Sequence, residues 1–246
     1  FFDGIDGLMT DPSDTGLRLV LIENGKALAS SFSDMSRVLS ALQQGVQGEE
    51  AAMVGKANDL LRGISELQEQ IVQRVDRGAM NPLLDQRDLM LSRLSDIMDI
   101  NVSYDERGLA DVRMGRAPGG PFLLSGTRFV TLTQPASGRV TIPSIDPAGT
   151  SASRTVVSGA LKGLADAYST IAATLNDLDD IVGRVARDMN AAHRSGITLD
   201  GEPGGDLFSL AGWAAKPALI NGGTGVAVVT ILDEHQMPDG PLELVF

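Results

Sequence analysis

Apolar residues recur at alternating spacings of three and four along much of this 246-residue chain. This spacing lays one apolar stripe along an α-helix and is the pattern of a coiled-coil seam. The first stripe comprises Leu28, Phe32, Met35, Leu39, Leu42 and Val46, and the second comprises Met53, Ala57, Leu60, Ile64, Leu67 and Ile71. The third and longest stripe runs from Leu161 to Ala192. Three glycines (Gly45, Gly48 and Gly55) count against one unbroken helix over the first two stripes, since each costs ~1 kcal/mol relative to Ala.

Turn and capping residues predict the helix ends. The residues Asp11-Pro12-Ser13-Asp14 predict a turn and then a helix start. Gly78 ends the second stripe, and Asn81-Pro82 predicts a short third helix with Asn as its N-cap and Pro at its first position. The longest stripe is followed by Ser195-Gly196, where Gly is the expected stop.

The apolar period changes to two after residue 100. Alternating residues at 100–104 and 110–114 flank Asp105-Glu106-Arg107-Gly108, which is the signature of a hairpin. Further short strands are predicted at Phe122–Leu124, Phe129–Leu132, Arg139–Ile142, Val226–Leu232 and Leu242–Phe246.

These elements predict an α+β fold that is mainly α. We expect an elongated helical rod formed by 1–99 with 158–215, and a small β substructure inserted at 100–157. Residues 216–246 would begin a truncated β-rich outer domain. The chain begins at Phe1 without Met and ends inside a predicted strand, so we expect a fragment of a longer protein.

Composition narrows the possible partners. The net charge of -12 argues against nucleic-acid binding and against docking on anionic lipid. No apolar run is long enough to span a membrane. Cysteine is absent, which excludes disulfides and Cys-ligated zinc. Aromatic residues make up only 4%, which favours close helix packing over an aromatic ligand pocket.

Candidate chemistry is sparse. The two histidines, His193 and His235, lack a nearby metal-binding pattern and are interpreted as a helix-end and a loop residue. The charged residues Asp85, Arg87 and Asp88 could form an acid/base pair, but an ion pair near a helix N-terminus is the better interpretation.

Two loop segments contain acidic or glycine residues of the kinds found in ion-binding and phosphate-binding loops. The carboxylates at Asp200, Glu202 and Asp206 do not have the spacing of a calcium loop and predict an acidic turn. The glycines at 222–225 lack the Lys of a phosphate loop. No catalytic, metal or cofactor-binding residue is therefore predicted, and no cofactor is expected.

The octapeptide Asn81-Pro82-Leu83-Leu84-Asp85-Gln86-Arg87-Asp88, before an amphipathic helix, resembles the first flagellar hook-associated protein family. The stretch from Met189 to Gly201 is similar to the family's N-x-x-H-x-x-G-x-x-x-x-G, and 204–209 resembles its G-x-D-F-F-S, with Leu207 for the usual Phe. The residues that mark the resemblance are Asn81, Leu84, Asp85, Gln86, Arg87, Asp88, Asn190, His193, Gly196, Gly201 and Phe208.

Two further segments carry the same resemblance. Phe1-Phe2 with the residues up to Phe32 resembles the start of the family's pattern, and 159–164 resembles its G-x-L-x-G-L. The usual Arg a few residues later is absent, and Tyr168 and Ser169 occupy that region. The four matches keep their order over nearly the whole chain.

The resemblance implies a structural role without catalysis. Such a protein would form a ring at the hook–filament junction of an extracellular flagellum. Its partners would be the hook protein, the second junction protein and neighbouring copies of itself. It would leave the cell through type III export without a cleaved signal peptide. An export chaperone would bind a missing terminus, and the fragment would be monomeric. The marker residues would cap helices and turn the chain.

Two alternatives stay open. One is another flagellar axial protein, such as the filament protein or the second junction protein, and the motifs at 85–88 and 189–208 discriminate against it. The other is an acidic hydrolase, against which the lack of converging His, Cys or carboxylate residues counts.

Overall fold

The computed structural model describes residues 1–73, 81–146 and 149–209. The chain divides into two compact units, Phe1–Val182 and Gly183–Phe246. The helices of the described part are α1 (Phe2–Thr10), α2 (Thr15–Gln73), α3 (Asn81–Ile97) and α4 (Gly159–Arg194). None of them combines the length and the apolar content that crossing a membrane requires.

The predicted helix starts and stops agree with the structure. The carboxylate of Asp14 accepts the backbone N–H groups of Gly16 and Leu17 at 2.7 and 3.1 Å, which caps the start of α2. Helix α3 begins at Asn81, and α4 ends at Arg194, one residue before the predicted Ser-Gly stop. The predicted end of the second stripe at Gly78 lies outside the described residues.

Helix α2 is continuous over 59 residues, although its glycines count against this. Nothing lies within 4 Å of the position that a Cβ would occupy at Gly45, Gly48 or Gly55. These glycines therefore serve no close packing contact. Their propensity cost is offset by the cooperative hydrogen bonding of a long helix and by packing of its second half.

Seven strands form two antiparallel sheets in the described part. The four-stranded sheet consists of β1 (Ile100–Tyr104), β2 (Ala110–Met114), β3 (Phe122–Ser125) and β4 (Arg128–Phe129), in that order. The three-stranded sheet consists of β5 (Thr133–Ala136), β6 (Arg139–Ile142) and β7 (Ala152–Thr155). The hairpin of β1 and β2 has the predicted bounds, with Ile100 paired to Met114 and Tyr104 paired to Ala110.

The main core lies between the second stripe, α3 and the two sheets. Second-stripe members such as Ala57 and Ile64 are fully buried against apolar residues of α3 and of the strands, including Leu94 and Val112. Both sheets contribute to this core, the four-stranded sheet through the buried residues of β2 and β3 and the three-stranded sheet through those of β6. The fold class is thus confirmed as mainly α with a small β substructure, and that substructure completes the helical core.

The apolar side chains of the first stripe are only partly buried, unlike those of the second. Met35 is 50% exposed and Leu42 is 53% exposed, and Val38 beside them is 67% exposed. Leu28 and Phe32 are partly buried. The seam that the spacing predicts is therefore not completed within the described residues of this chain.

Two predictions for the β part need correction. The sequence predicts a strand at Phe129–Leu132, but β4 ends at Phe129. The backbone N–H of Leu132 bonds to the side chain of Asn58 instead of to a neighbouring strand. Strands β5 and β7 were not predicted, since one contains Pro135 and the other lacks apolar alternation. The strands predicted beyond residue 225 lie outside the described residues.

Candidate functional site

Four polar side chains of α2 contact the backbone of the β substructure. They are Glu50, Asn58, Ser65 and Gln68, and together they form the latch row. At about 100° per residue, their positions fall within an arc of about 80°, beside the second stripe. Helix α2 therefore presents two adjoining faces to the β part, one apolar and one hydrogen-bonding.

The side-chain amides of Asn58 and Gln68 each accept a hydrogen bond from a backbone N–H and donate to a backbone carbonyl. Asn58 accepts the N–H of Leu132 at 2.7 Å and donates to the carbonyl of the same residue at 3.0 Å. Gln68 is fully buried; its oxygen accepts the N–H of Ala110, and its amide donates to the carbonyls of Ala110 and Gly126. Each amide thus satisfies polar backbone groups that burial would otherwise leave unpaired.

The other two latch residues contact turns. The hydroxyl of Ser65 donates to the carbonyl of Thr127 at 2.7 Å. Oε1 of Glu50, which is fully buried, accepts from the hydroxyl of Ser137 at 2.8 Å and from the N–H of Gly138 at 3.1 Å. Among the described residues its second oxygen, Oε2, has no hydrogen-bond partner. The latch row therefore reaches both sheets, from β2 to the turn between β5 and β6.

Arg87 is the buried member of the first motif, which is the octapeptide at 81–88. Its guanidinium pairs with Asp88 at 2.9 Å, donates to the carbonyl of Gly108 at 2.8 Å and lies 4.8 Å from the ring centroid of Tyr104. This confirms the predicted ion pair for Arg87 and Asp88. Asp85 is exposed and is not part of it. The bond to the hairpin was not predicted, because a charged residue in a helix pattern ordinarily indicates a solvated face.

The remaining markers of the first motif lie on the first turns of α3. Asn81 and Gln86 are exposed, whereas Leu84 is partly buried. Leu84 lines an open groove of about 400 Å³, together with Ile71, Arg87, Asp88, Tyr104, Arg107 and Gly108. Among these lining residues, the carboxylate of Asp88 is paired with Arg87 and is therefore not a free acid or base.

Asn190 organises the chain after α4, within the second unit. Its side-chain oxygen accepts the N–H groups of Leu207 and Phe208, both at 2.9 Å, and its amide donates to the carbonyl of Phe208 at 2.8 Å. Asn190 is only 2% exposed. A single side chain thus holds the returning segment against the last turns of the helix, which explains why the second motif needs an amide there.

His193 and Arg194, at the end of α4, contact the same returning segment. The Nδ1–H of His193 donates to the carbonyl of Gly205 at 2.6 Å, and Arg194 pairs with Asp206 at 2.5 Å. A Cβ at Gly204 would lie 2.0 Å from the carbonyl oxygen of His193, so only Gly fits there. Arg194 and Asp206 were not predicted as a pair, because twelve residues separate them in the sequence.

Two glycine markers form the turns of this segment. Gly201 has φ +83°, a conformation that L side chains rarely adopt. The carbonyl of Gly196 accepts the N–H of Gly204 at 3.1 Å. The segment from Gly196 to Ser209 therefore turns back along the helix end that precedes it.

The carboxylates whose pKa values are shifted belong to turns. The hydroxyl of Ser13 lowers the pKa of Asp11 by hydrogen bonding, and the N–H of Leu109 does the same for Asp105. Neither lies against a candidate base. Within residues 1–73, 81–146 and 149–209, no three His, Cys or acidic side chains converge as a metal site would require.

A family model connects this chain with known proteins. The model for the helical domain of the flagellar hook-associated protein FlgK matches residues 1–208. This range includes the latch row, the octapeptide 81–88 and the motif at 189–208.

Individual relatives agree with the family model. The flagellar hook-associated protein 1 of Bacillus subtilis (strain 168) is 29% identical, over 89% of this chain and 48% of its own length. That of Escherichia coli (strain K12) is 27% identical, over 89% and 41%. A solved structure of the flagellar hook junction protein FlgK from Burkholderia pseudomallei matches with a TM-score of 0.72 and 25% identity, over 83% of this chain and 38% of that one. The chain spans less than half the length of these relatives.

Proposed function

The chain belongs to the family of the helical domain of the flagellar hook-associated protein FlgK, and from this membership we propose that it is a structural part of the hook–filament junction of a bacterial flagellum. It acts by assembling with neighbouring axial proteins and carries out no reaction. Its partners are the hook protein, the second junction protein and further copies of itself.

The half-exposed first stripe supports assembly most directly. Met35 and Leu42 of the stripe, and Val38 beside it, expose between 50% and 67% of their surface along α2. A long amphipathic helix gains most of its stability by burying its apolar face, and covering these side chains would contribute roughly 1 kcal/mol each. We therefore assign this stripe as a surface that another helix covers in the assembled flagellum.

The latch row and the two motifs have an internal role in this proposal. They hold the β substructure and the segment after α4 on the helices, so that the assembly surfaces keep one geometry. The protein is exported by the type III apparatus to the extracellular flagellum, and a chaperone binds a part of the protein outside this chain. No nucleic acid or membrane takes part.

Electron microscopy of a strain that lacks the full-length gene tests the function. The proposal predicts hooks that carry no filaments, and a plasmid copy of the gene should restore the filaments. Strains with normal filaments would rule out a role in the junction. Loss of the hooks as well would indicate a role at an earlier stage of assembly and would also contradict the proposal.

A further inference from the structure

The two sheets of the described part have four edge strands, and three of these carry a feature that hinders pairing with another chain. Strand β4 is only two residues long and contains the exposed Arg128, β5 contains Pro135, and β7 contains the exposed Arg154. Short length, proline and charge each make a sheet edge a poor template for a further strand. Three of the four edges are therefore protected.

Strand β1 is the fourth edge and has none of these features. It is five residues long, more than any of the other three, and its sequence Ile-Asn-Val-Ser-Tyr contains neither proline nor a charged side chain. β-branched and aromatic residues, which favour strands, alternate in it with small polar ones. Ser103 is exposed, and Tyr104 is 54% exposed. This edge therefore stays open to pairing.

The backbone bonds at both ends of β1 determine which of its residues face β2. The N–H of Asp105 donates to the carbonyl of Leu109, and the N–H of Gly115 donates to the carbonyl of Asp99, both at 2.9 Å. In an antiparallel pair, every second residue of a strand exchanges backbone hydrogen bonds with its neighbour. The odd-numbered residues from 99 to 105 therefore bond to the β2 side of the hairpin.

The even-numbered residues of β1 direct their backbone groups away from β2. They are Ile100, Val102 and Tyr104, whose side chains lie opposite Met114, Val112 and Ala110. No residue within 1–73, 81–146 and 149–209 forms a hydrogen bond with their N–H or C=O groups. These groups have the spacing that an added β-strand requires.

The open groove of about 400 Å³ adjoins the end of the same strand. Tyr104, the last residue of β1, lines it together with Leu84 of α3. A strand that pairs with β1 and continues past Tyr104 would lay its next side chain over this groove. In β-strand addition the backbone bonds supply affinity, and pockets for alternate side chains supply specificity. The edge and the groove together thus offer both parts of a peptide-binding site.

The charges at the groove indicate the chemistry of its occupant. Arg87 pairs with Asp88 at 2.9 Å, and Arg107 pairs with Asp105 at 2.9 Å. A charged side chain would find no free partner among these residues and would lose part of its hydration. An apolar side chain would bury surface against Leu84 and Tyr104 instead.

We propose that an extended, uncharged segment of a different protein of the junction adds to the β1 edge and places an apolar side chain over the groove at Tyr104. The inference rests on the proposed function, because it names the kind of segment by which a partner attaches. It adds a contact that is separate from the first stripe, since a strand and not a helix occupies it.

A second copy of this chain fits the site less well. Two copies related by a two-fold axis would pair their β1 strands antiparallel, with Tyr104 of one opposite Ile100 of the other. The residues that precede Ile100 are Met98 and Asp99, which are 0% and 9% exposed within their own copy. They are not available to cover the groove of a neighbour, so a segment of different sequence is required.

Hydrogen exchange resolved to single amides tests whether the edge is covered. In the isolated chain and in the full-length monomer, Val102 and Tyr104 should exchange fast, whereas Asn101 and Ser103, which bond to β2, should exchange slowly. In purified flagella that retain their hooks, Val102 and Tyr104 should exchange about tenfold more slowly, because their N–H groups donate to the added strand.

The edge of β7 supplies a matched control. The N–H of Val156 donates to the carbonyl of Gly138 at 2.9 Å, so the same alternation directs the N–H of Ser153 away from β6. Ser153 is exposed. Its amide should exchange equally fast in the isolated chain and in flagella, because Arg154 beside it protects this edge from strand addition.

Two proline variants of the full-length protein test whether the pairing matters for assembly. Val102→Pro removes one outward N–H and leaves the bonds between β1 and β2 in place. It should lower the fraction of hooks that carry filaments by about fivefold, because the added strand loses its central bond. Ser153→Pro makes the same change on β7 and should alter that fraction by less than about twofold. Slow exchange of Ser103 verifies that the hairpin of the Val102→Pro protein is folded.

Fast exchange of Val102 and Tyr104 in flagella, or normal filaments with Val102→Pro, would overturn the proposal. Slow exchange in the full-length monomer would overturn it too, because the edge would then be covered within the protein itself. Slowing in the isolated chain as its concentration is raised to about 1 mM would identify a second copy as the occupant and contradict the proposal. Hooks without filaments in the deletion strain would still uphold the proposed function, so the two can fail separately.

Discussion

Gln68 shows how a polar residue can hold this fold together. It is fully buried, and its three hydrogen bonds go to the backbone of Ala110 and Gly126 on the β substructure. A Gln in a helix pattern ordinarily predicts a solvated position. Its role depends on backbone groups more than 40 residues away, which no local pattern identifies.

Replacing this side chain should therefore be costly. Gln68→Ala removes the bonds to the N–H and carbonyl of the buried Ala110 and to the carbonyl of the partly buried Gly126, and we expect the free energy of unfolding to fall by about 2–4 kcal/mol. Urea denaturation measures it. The control is Gln70→Ala on the same helix, which is exposed and should change stability by less than about 0.5 kcal/mol. Similar effects of the two substitutions would show that the latch row is not structural.

Asp105 gives a prediction that depends on pH. The N–H of Leu109 bonds to its carboxylate, and Arg107 pairs with it, and together they hold the pKa of Asp105 below the ordinary value of 3.8. Since the folded pKa is depressed, the stabilisation is present above about pH 4 and is lost as pH falls through the folded pKa.

NMR titration of the side-chain carboxyl carbon tests this directly. Asp105 should titrate below 3.8, and Arg107→Met should raise its pKa only part of the way, because the bond from Leu109 remains. A pKa at or above the ordinary value for Asp105 would contradict the hydrogen bonding at this turn.

At the scale of elements, glycine-to-alanine substitutions within α2 and after α4 should change stability in opposite directions. Gly45→Ala and Gly48→Ala meet no neighbouring atom within 4 Å, so each should stabilise the protein by about 0.5–1 kcal/mol. Gly204→Ala should destabilise the segment after α4, because its Cβ would collide with the carbonyl of His193. Thermal melts monitored by circular dichroism report the α2 variants, and hydrogen exchange at Leu207 and Phe208 reports Gly204→Ala. Loss of stability in the α2 variants would indicate a packing contact at these glycines.

Elements with a strong period could be predicted from the sequence. The third stripe predicted α4 to within a few residues, and the alternation around Asp105 predicted the β1–β2 hairpin with its bounds. Both signals are local, because they depend on the spacing of apolar residues within one element.

Elements defined by tertiary contacts could not be predicted in this way. The strand expected at Phe129–Leu132 is cut short by Asn58 on a distant helix, and the continuity of α2 overrides three unfavourable glycines. For the same reason the sequence identifies both motifs but not the contacts that their residues make. Arg87 bonds to Gly108, and Asn190 to Phe208, across loops whose course a sequence does not specify.

At the scale of the whole molecule, the chain leaves distinct surfaces unsatisfied. The first stripe exposes apolar side chains along α2, and Arg128, Arg139 and Arg154 of the β substructure are exposed without an ion pair to any described residue. The exposed apolar stripe suits a subunit that is completed by its neighbours, whereas the arginines on the edge strands β4 and β7 can also serve to keep these edges from pairing with other chains.

If the first stripe is an assembly surface of the flagellar junction, as we propose, charges placed on it should block filament attachment. The most direct measurement is the fraction of hooks that carry filaments, counted by electron microscopy in a deletion strain supplied with full-length variants. The variant M35E/V38E/L42E places two charges on the stripe and one directly beside it. The control Q44E/Q47E/A51E places three on the opposite face of the same helix, where all three residues are exposed.

Circular dichroism of both purified variants should show unchanged helix content, and both should be exported. We expect bare hooks for the stripe variant and normal filaments for the control. Normal filaments on the hooks of the stripe variant would contradict it.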